Sequence, residues 1–513
     1  MRIRAATLLL VILSILAVNR AEAKDVILTI GGGYAPSGNQ VSLEKNVRFF
    51  SEVLDQSLPP GYEHTIYFAD GNDPGRDVQY LASPVPETRA EQLLAQVFGE
   101  TRHFFERYRD HQLPQVAGAT TEENLKQWFA TVGQKLDGDD RLLIYVTAHG
   151  GESNDKRDPY NTTLHLWSDG ELTVREFTTE LDQLSPELPV VCVMVQCHSG
   201  GFSNLIFTGG DPRNGLAPHR RCGFFATTHD RVAAGCTPEI NEADYHEYST
   251  SFWAALLGET RTGEPLQRPD YNDDGKTSFA EAHAYVLIHS DTIDLPVKTT
   301  DAFLRVYSDP APERRLAQRD EDENRSAVLR PVAPLTIGAP VDALLAAADP
   351  SERAVINGLS SRLELDQTDR AVAAGRLLKS IGDRRARLRD RMERRARQAN
   401  GIRRGIEADL LAQWPELAGD WNPAGRQLVR DKPEAIIKFI ESHPQFEHWR
   451  TAQAEAQTIE EQFLALELQE VKCERLIQML ESIVLANNLP LVADEELIHR
   501  YLALRAAESG TLK

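Results

Sequence analysis

RLLIYVTA (residues 141–148), followed by His149-Gly150-Gly151, and VVCVMVQ (190–196), followed by Cys197-His198-Ser199-Gly200-Gly201, decide how this chain folds. Each is a near-continuous apolar run that stops abruptly at glycine-rich sequence. That is the pattern of a strand covered on both faces and running into a loop. Further runs of this kind lie at 25–30 (DVILTI, ending in Gly31-Gly32-Gly33), 64–69 and 221–227. Helical spacing separates them at 42–54, where Val47, Phe50 and Leu54 share one side, and again at 87–108 and 121–136. Strands alternating with helices predict an α/β domain whose sheet is mainly parallel and flanked by helices.

In such a sheet the carboxyl ends of the strands share one edge, where ligands bind. The two quoted runs each place one reactive side chain there. With the strands as neighbours, His149 and Cys197 meet across a narrow gap. A thiolate is the reactive form of cysteine, and a nearby imidazole can move the proton on and off. Gly150 and Gly151 let the backbone turn sharply and approach a substrate. The Gly150 and Cys197 amides are candidate donors to a tetrahedral oxyanion, each such donor being worth about 3 kcal/mol of barrier. Asn39 and Gln40 are candidates to orient His149. His198 is a poor rival, since adjacent residues of an extended chain point to opposite sides. A zinc site of Cys197, His198 and His149 fits no standard ligand spacing.

These residues resemble the caspase–hemoglobinase superfamily (clan CD) of cysteine peptidases, over about residues 24–257, and within it legumain-like peptidases. Val195-Gln196-Cys197-His198-Ser199-Gly200 occupies the cysteine motif, and His149 lies upstream at the expected distance. Phe225-Ala226-Thr227-Thr228 is similar to the strand lining the first specificity pocket, and Glu247 begins a segment (EYSTSFW) similar to the one that gives that pocket an acid. The resemblance implies a caspase-like sheet, a Cys197–His149 dyad, an oxyanion hole at Gly150, and Glu247, Thr227 and Thr228 around the P1 side chain. Legumains carry an acid two residues before the nucleophile and alanine just before it. Here those positions are Val195 and Gln196, which weakens asparagine specificity in particular. Glu247 favours a basic or amide P1 residue, while Arg231 leaves an aspartate preference open. The expected reaction is endopeptidase hydrolysis of a protein or peptide through a Cys197 thioester. The alternatives are peptide ligation by the same dyad and a catalytically silent, calcium-dependent binding scaffold.

A second motif is Asp270-Tyr271-Asn272-Asp273-Asp274-Gly275 with Glu281, which matches D-x-[DN]-x-[DN]-G-x5-E. Calcium takes hard oxygens, here from Asp270, Asn272, Asp274, the Lys276 carbonyl, Ser278 or a bridging water, and Glu281. A helix follows at 279–288, but Gly263, Pro265 and Pro269 interrupt what precedes it. A single EF-hand-like loop at 270–281 with structural Ca2+ is expected, and no organic cofactor.

Residues 1–23 read as a secretory signal: Arg2 and Arg4, an apolar run at 5–18, and Ala21-Glu22-Ala23 as a small-x-small cleavage pattern. The mature chain is expected to be exported, periplasmic or secreted, with no membrane span. The net charge is −21, nearly all of it in the first 340 residues, which disfavours nucleic acid as a partner. Five cysteines leave at least one unpaired, and Cys222 with Cys236 is a candidate pair. The peptidase domain is expected over 24–308, then a charged, proline-containing linker over 309–340, then an all-helical region over 341–513. In that region an arginine-rich helix at 375–406 and a glutamate-rich one at 458–485 can pair antiparallel. The region is a candidate for self-association or for capping the active site.

Overall fold

The computed structural model describes residues 24–81, 88–99, 106–308, 334–418 and 422–512. The expected signal segment and the linker from 309 to 333 lie outside the described residues. Seven strands form the central sheet: β1 (Asp25–Gly32), β2 (Glu63–Phe68), β3 (Val116–Gly118), β4 (Arg141–Ala148), β5 (Val190–Met194), β6 (Arg221–Phe225) and β7 (Val297–Lys298). Their order is β7-β6-β5-β4-β1-β2-β3, all parallel except β7, which runs antiparallel to β6 at one edge.

Alternation along the strands explains why they read as unbroken apolar runs. Val26, Leu28, Ile30, Leu142, Ile144, Val146, Val190, Cys192 and Met194 pack on one face, against α3 (Glu122–Thr131), α4 (Val174–Leu181) and α7 (Thr299–Tyr307). Ile27, Leu143, Tyr145, Val191, Val193 and Phe224 pack on the other, against α1 (Val41–Ser57), α5 (Tyr248–Leu257) and α6 (Phe279–His289). Neither face meets water, so both side-chain sets must be apolar. Each fully buried side chain of this kind is worth about 1.5–3 kcal/mol.

The helix expected over 87–108 is shorter. Helix α2 (Arg89–Phe98) ends at Gly99, whose φ of 74° places it in the left-handed cap conformation. Glu106–Arg109 is instead a strand, antiparallel to Val78–Leu81.

Past residue 340 the described chain is helical: α8 (Val341–Ala347), α9 (Pro350–Arg362), α10 (Arg370–Gln413), α11 (Pro423–Asp431), α12 (Pro433–Glu441), α13 (Phe446–Val492) and α14 (Glu495–Glu508). Helices α10 and α13 lie side by side and antiparallel: Arg385 meets Glu467 at 2.6 Å, and Arg395 meets Glu455 at 3.0 Å. Apolar burial holds the pair, with Ile381, Leu466, Leu476, Leu480 and Ile483 in one cluster, while an exposed ion pair such as Arg395–Glu455 adds little. Residues 334–340 dock on this region, Leu335 exchanging both backbone hydrogen bonds with the Asn488 side chain (2.8 and 2.7 Å).

The helical region is fused to the sheet layer. Leu489 and Tyr501 enter one sheet core, and Leu512 enters the other. The buried Glu508 carboxylate accepts from Lys298 Nζ (3.0 Å), Thr299 Oγ1 (2.8 Å) and Thr300 N (2.7 Å). Removing one partner of such a pair strands the other charge, at about 3–5 kcal/mol. Glu508→Ala is therefore expected to lower unfolding stability by about that amount, measured by urea denaturation, whereas a change below about 1 kcal/mol would mean that Lys298 reaches water.

Candidate active site

Strands β4 and β5 pair in parallel with Val146 opposite Met194, and the Val195 amide donates to the Val146 carbonyl at 3.0 Å. His149 and Cys197 each follow three residues beyond that register, so both stand on the same rim. The approach is tight. A Cβ on Gly150 would lie 2.3 Å from the Cys197 carbonyl oxygen, so any side chain there would push the two loops apart. His198 next in line has φ 59°, a left-handed conformation that costs a non-glycine residue about 1–2 kcal/mol. The turn is held against that cost: His198 N donates to Arg231 O (2.8 Å), and Thr162 Oγ1 donates to His198 O (3.0 Å). The His198 ring lies with Nδ1 3.0 Å from the His229 carbonyl, engaged on that loop.

His149 is oriented by the loop after β1. Its Nε2 lies 2.7 Å from the Gly38 carbonyl and 3.0 Å from Gln40 Oε1. Gln40 Nε2 donates to Ser37 O, which fixes the amide with its oxygen toward the ring. Both neighbours accept, so Nε2 carries the proton and Nδ1 is left as the basic nitrogen. Burial lowers the His149 pKa, with the Gly38 carbonyl opposing it. Of the two residues expected to orient the ring, Gln40 touches it. Asn39 instead braces the loop, accepting from Gly33 N (3.0 Å) and donating to Asp77 (2.9 Å).

Cys197 is half-buried under residues 231–237, a strap leading from the loop after β6 toward α5. Ala233 N–H donates to Sγ at 3.3 Å, and the Ala233 carbonyl lies 3.9 Å from the sulfur. Burial raises the thiol pKa, the Asp294 carboxylate raises it further, and the Ala233 amide opposes both. Both shifts favour the uncharged forms, a thiol and a neutral imidazole.

The strap is anchored along its length. The fully buried Asp294 accepts from Ala234 N at 2.6 Å, and its Oδ2 has no partner among the described residues. Arg231 Nη1 donates to Glu474 of α13 at 2.7 Å, so its charge is already matched. Thr237 N donates to Ser42 Oγ at 2.9 Å. Arg475, beside Glu474 and almost wholly buried, donates to the backbone carbonyls of Leu287, Ser290, Thr292 and Asp294. It thereby shapes the loop that carries Asp294.

The residues expected around P1 lie close by but are engaged. Glu247 is buried, pairs through Oε1 with Arg261 (3.4 Å), and lies so close to Gly235 that a Cβ there would sit 2.6 Å from Oε2. Buried Thr227 exchanges hydrogen bonds with Ser199 and accepts one from Leu295 N. Thr228 Oγ1 donates to Asp230 at 2.7 Å. Cys222 and Cys236 are both free thiols.

The calcium-motif oxygens converge within one loop but hold backbone amides. Asp270 accepts from Asp274 N and Gly275 N (2.9 Å each), Asn272 Oδ1 from Asp274 N (3.0 Å), and Asp274 from Lys276 N (2.9 Å). Glu281 accepts from Tyr271 N (2.7 Å) and from Ser278 N and Oγ (2.9 Å each), capping α6. Gly275 sits at φ 81°. The donor set is all hard oxygen and so suits calcium chemically. Among the described residues no group of three or more His, Cys, Asp or Glu side chains is arranged as a metal cluster, and no helix is long and apolar enough to cross a membrane.

Asp294, Glu474 and Arg475 carried no sequence signal, since an acid in SDTIDLP and a charge pair in a charged helix are unremarkable locally. The Gly38 carbonyl was equally invisible, because any residue supplies one.

No protein-family model and no curated protein matches the chain. Among solved structures it is similar to the crystal structure of protein GSU0716 from Geobacter sulfurreducens, at 12% identity over 51% of this chain and 88% of that one, with a TM-score of 0.29. The mostly parallel sheet with flanking helices is compatible with a caspase-like α/β fold.

The resting charge state has a pH signature. A raised thiol pKa leaves little thiolate at neutral pH, so alkylation of Cys197 by iodoacetamide is expected to keep rising through pH 9. A rate already on its plateau at pH 6 would show a preformed thiolate–imidazolium pair instead.

Proposed function

We propose that this chain is an exported cysteine endopeptidase of the caspase–hemoglobinase type, legumain-like in its motif. The observation that carries the reading is the delivery of Cys197 and His149 to one rim by neighbouring parallel strands, with Nδ1 of His149 left basic. In the proposed reaction His149 takes the Cys197 proton as the sulfur attacks a peptide carbonyl. The tetrahedral oxyanion is held by the Gly150 and Cys197 amides. Its collapse releases the amine, protonated by His149, and leaves a thioester that water hydrolyses. The Ala233 contact lies over the sulfur, so substrate entry displaces the strap. Glu247 is matched by Arg261, so the open Oδ2 of Asp294 beneath the strap is what favours a basic or amide P1 side chain.

A depressed His149 pKa puts the acid limb of activity below the ordinary histidine value near 6.5, activity falling as the imidazole protonates. A catalytically silent scaffold is the second reading, favoured by the covered, uncharged thiol. The same experiment separates them: a peptide library is digested by wild type, Cys197→Ala and His149→Ala. The enzyme reading expects cleavage by wild type, reduced at least about 10³-fold in both variants. No cleavage and no labelling of Cys197 by a peptidyl electrophile would leave the scaffold.

Calcium is proposed as structural, held by Asp270, Asn272, Asp274, the Lys276 carbonyl and Glu281, with Ser278 or water completing the set. It would fix the loop that leads into α6. Added Ca2+ at about 100 times its Kd is expected to stabilise the fold by about 2.7 kcal/mol, seen as a rise in Tm. Asp270→Ala should remove the rise, and an unchanged wild-type Tm would exclude the site.

A further inference from the structure

A recess of about 470 Å³ lies beside the nucleophile turn, walled by Tyr160, Gly200, Thr228, Arg231, Arg305 and Glu474. Its size is that of a small-molecule site. Its polar groups are matched with one exception. Glu474 is tied to Arg231 (2.7 Å). Asp301, also in the wall, accepts from Lys298 N and Ser482 Oγ (2.9 Å each), and Asp230 accepts from Thr228 Oγ1 (2.7 Å). Arg305, on α7, makes no ion pair among the described residues.

Arg305 is also held in one plane. Its guanidinium carbon lies 3.9 Å from the centre of the Tyr160 ring, and the His229 ring stacks on Tyr160 at 3.8 Å and 20°. Two groups that close cannot share a face, so Tyr160 is sandwiched between them. One guanidinium N–H is fixed by the buried Asn204 Oδ1 at 2.6 Å. The residue reaches the surface and lines the recess, while burial around the guanidinium lowers its pKa. A stacked, preoriented guanidinium with no carboxylate in ion-pair contact among the described residues suits bidentate contact with a planar anion, the nearest acid, Asp301, acting on it only at longer range. Asp230 at the rim is exposed and accepts from the neutral Thr228 hydroxyl, so it keeps a negative charge that favours a cation nearby, whereas both Asp301 oxygens are taken by Lys298 N and Ser482 Oγ. Together Arg305 and Asp230 describe a zwitterion.

We propose that this recess binds the α-carboxylate of a small zwitterion, a free amino acid or the end of a short peptide, with Arg305 as its anchor. Titration calorimetry on the full chain carrying Cys197→Ala, which keeps a peptide probe intact, tests it. The probes are alanine, alanyl-alanine, the C-terminal amide of alanyl-alanine, and inorganic phosphate. Saturable binding of alanine assigns the recess to free amino acids, and binding of the dipeptide alone assigns it to peptide ends. In either case the amide is expected to bind at least about tenfold more weakly, Arg305→Gln to lose binding, and Arg305→Lys to keep only part of it. Equal binding of dipeptide and its amide, phosphate binding as tight as the zwitterions, or no binding by either zwitterion at millimolar concentration would overturn the assignment. The amide comparison uses an unaltered recess, so it decides the matter even where Arg305→Gln fails to fold. Because turnover is not read, the result stands apart from whether the chain is a peptidase.

Discussion

Parallel pairing of β4 with β5 is the constraint on which the remainder of the site depends. The Val195–Val146 hydrogen bond sets how far each chain travels before it leaves the sheet. Both strands are buried on both faces, so a slip of one residue would exchange every core side chain between the faces. That makes the register expensive to change, and the positions of His149 and Cys197 inherit its rigidity. Glycine at 150 is a condition of the same pairing, because the neighbouring carbonyl occupies the space of a side chain.

A second layer of control comes from far along the chain. Two consecutive residues of α13 act on the two supports of the strap: Glu474 holds Arg231, and Arg475 holds the backbone around Asp294, whose carboxylate holds Ala234. Arg475 reaches its carbonyl partners from the interior, where a buried charge is tolerated only when its donors are matched. The helical region thus bears on the nucleophile's surroundings through the strap and the loop beneath it.

Much of the α/β layer was legible because burial on two faces leaves an unmistakable apolar run. The rim residues followed from those runs, since His149 comes directly after β4 and Cys197 three residues after β5. Gln40 was legible as one of a pair, though sequence could not say which of Asn39 and Gln40 turned toward the ring. The helix expected over 87–108 failed at Gly99, where one left-handed residue outweighs the helical spacing around it. Glu247 was read as a pocket acid, but nothing local announced that Arg261 would neutralise it. Asp294 and Arg475 were unreadable because their significance arises only from packing between segments about 180 residues apart.

The seating of Glu508 and Leu512 has a kinetic consequence. Arg141, at the start of β4, donates to the carbonyl of Leu512 at 3.0 Å, across 371 residues of chain. Contacts between such distant segments form slowly, because loop-closure entropy must be overcome before they return any stability. The sheet can therefore gather early from β1, β2 and β4, yet its last core positions stay open until α14 docks. Until it docks, the apolar surface that Tyr501 and Leu512 cover is exposed, and surface of that kind is what makes a folding intermediate prone to aggregate.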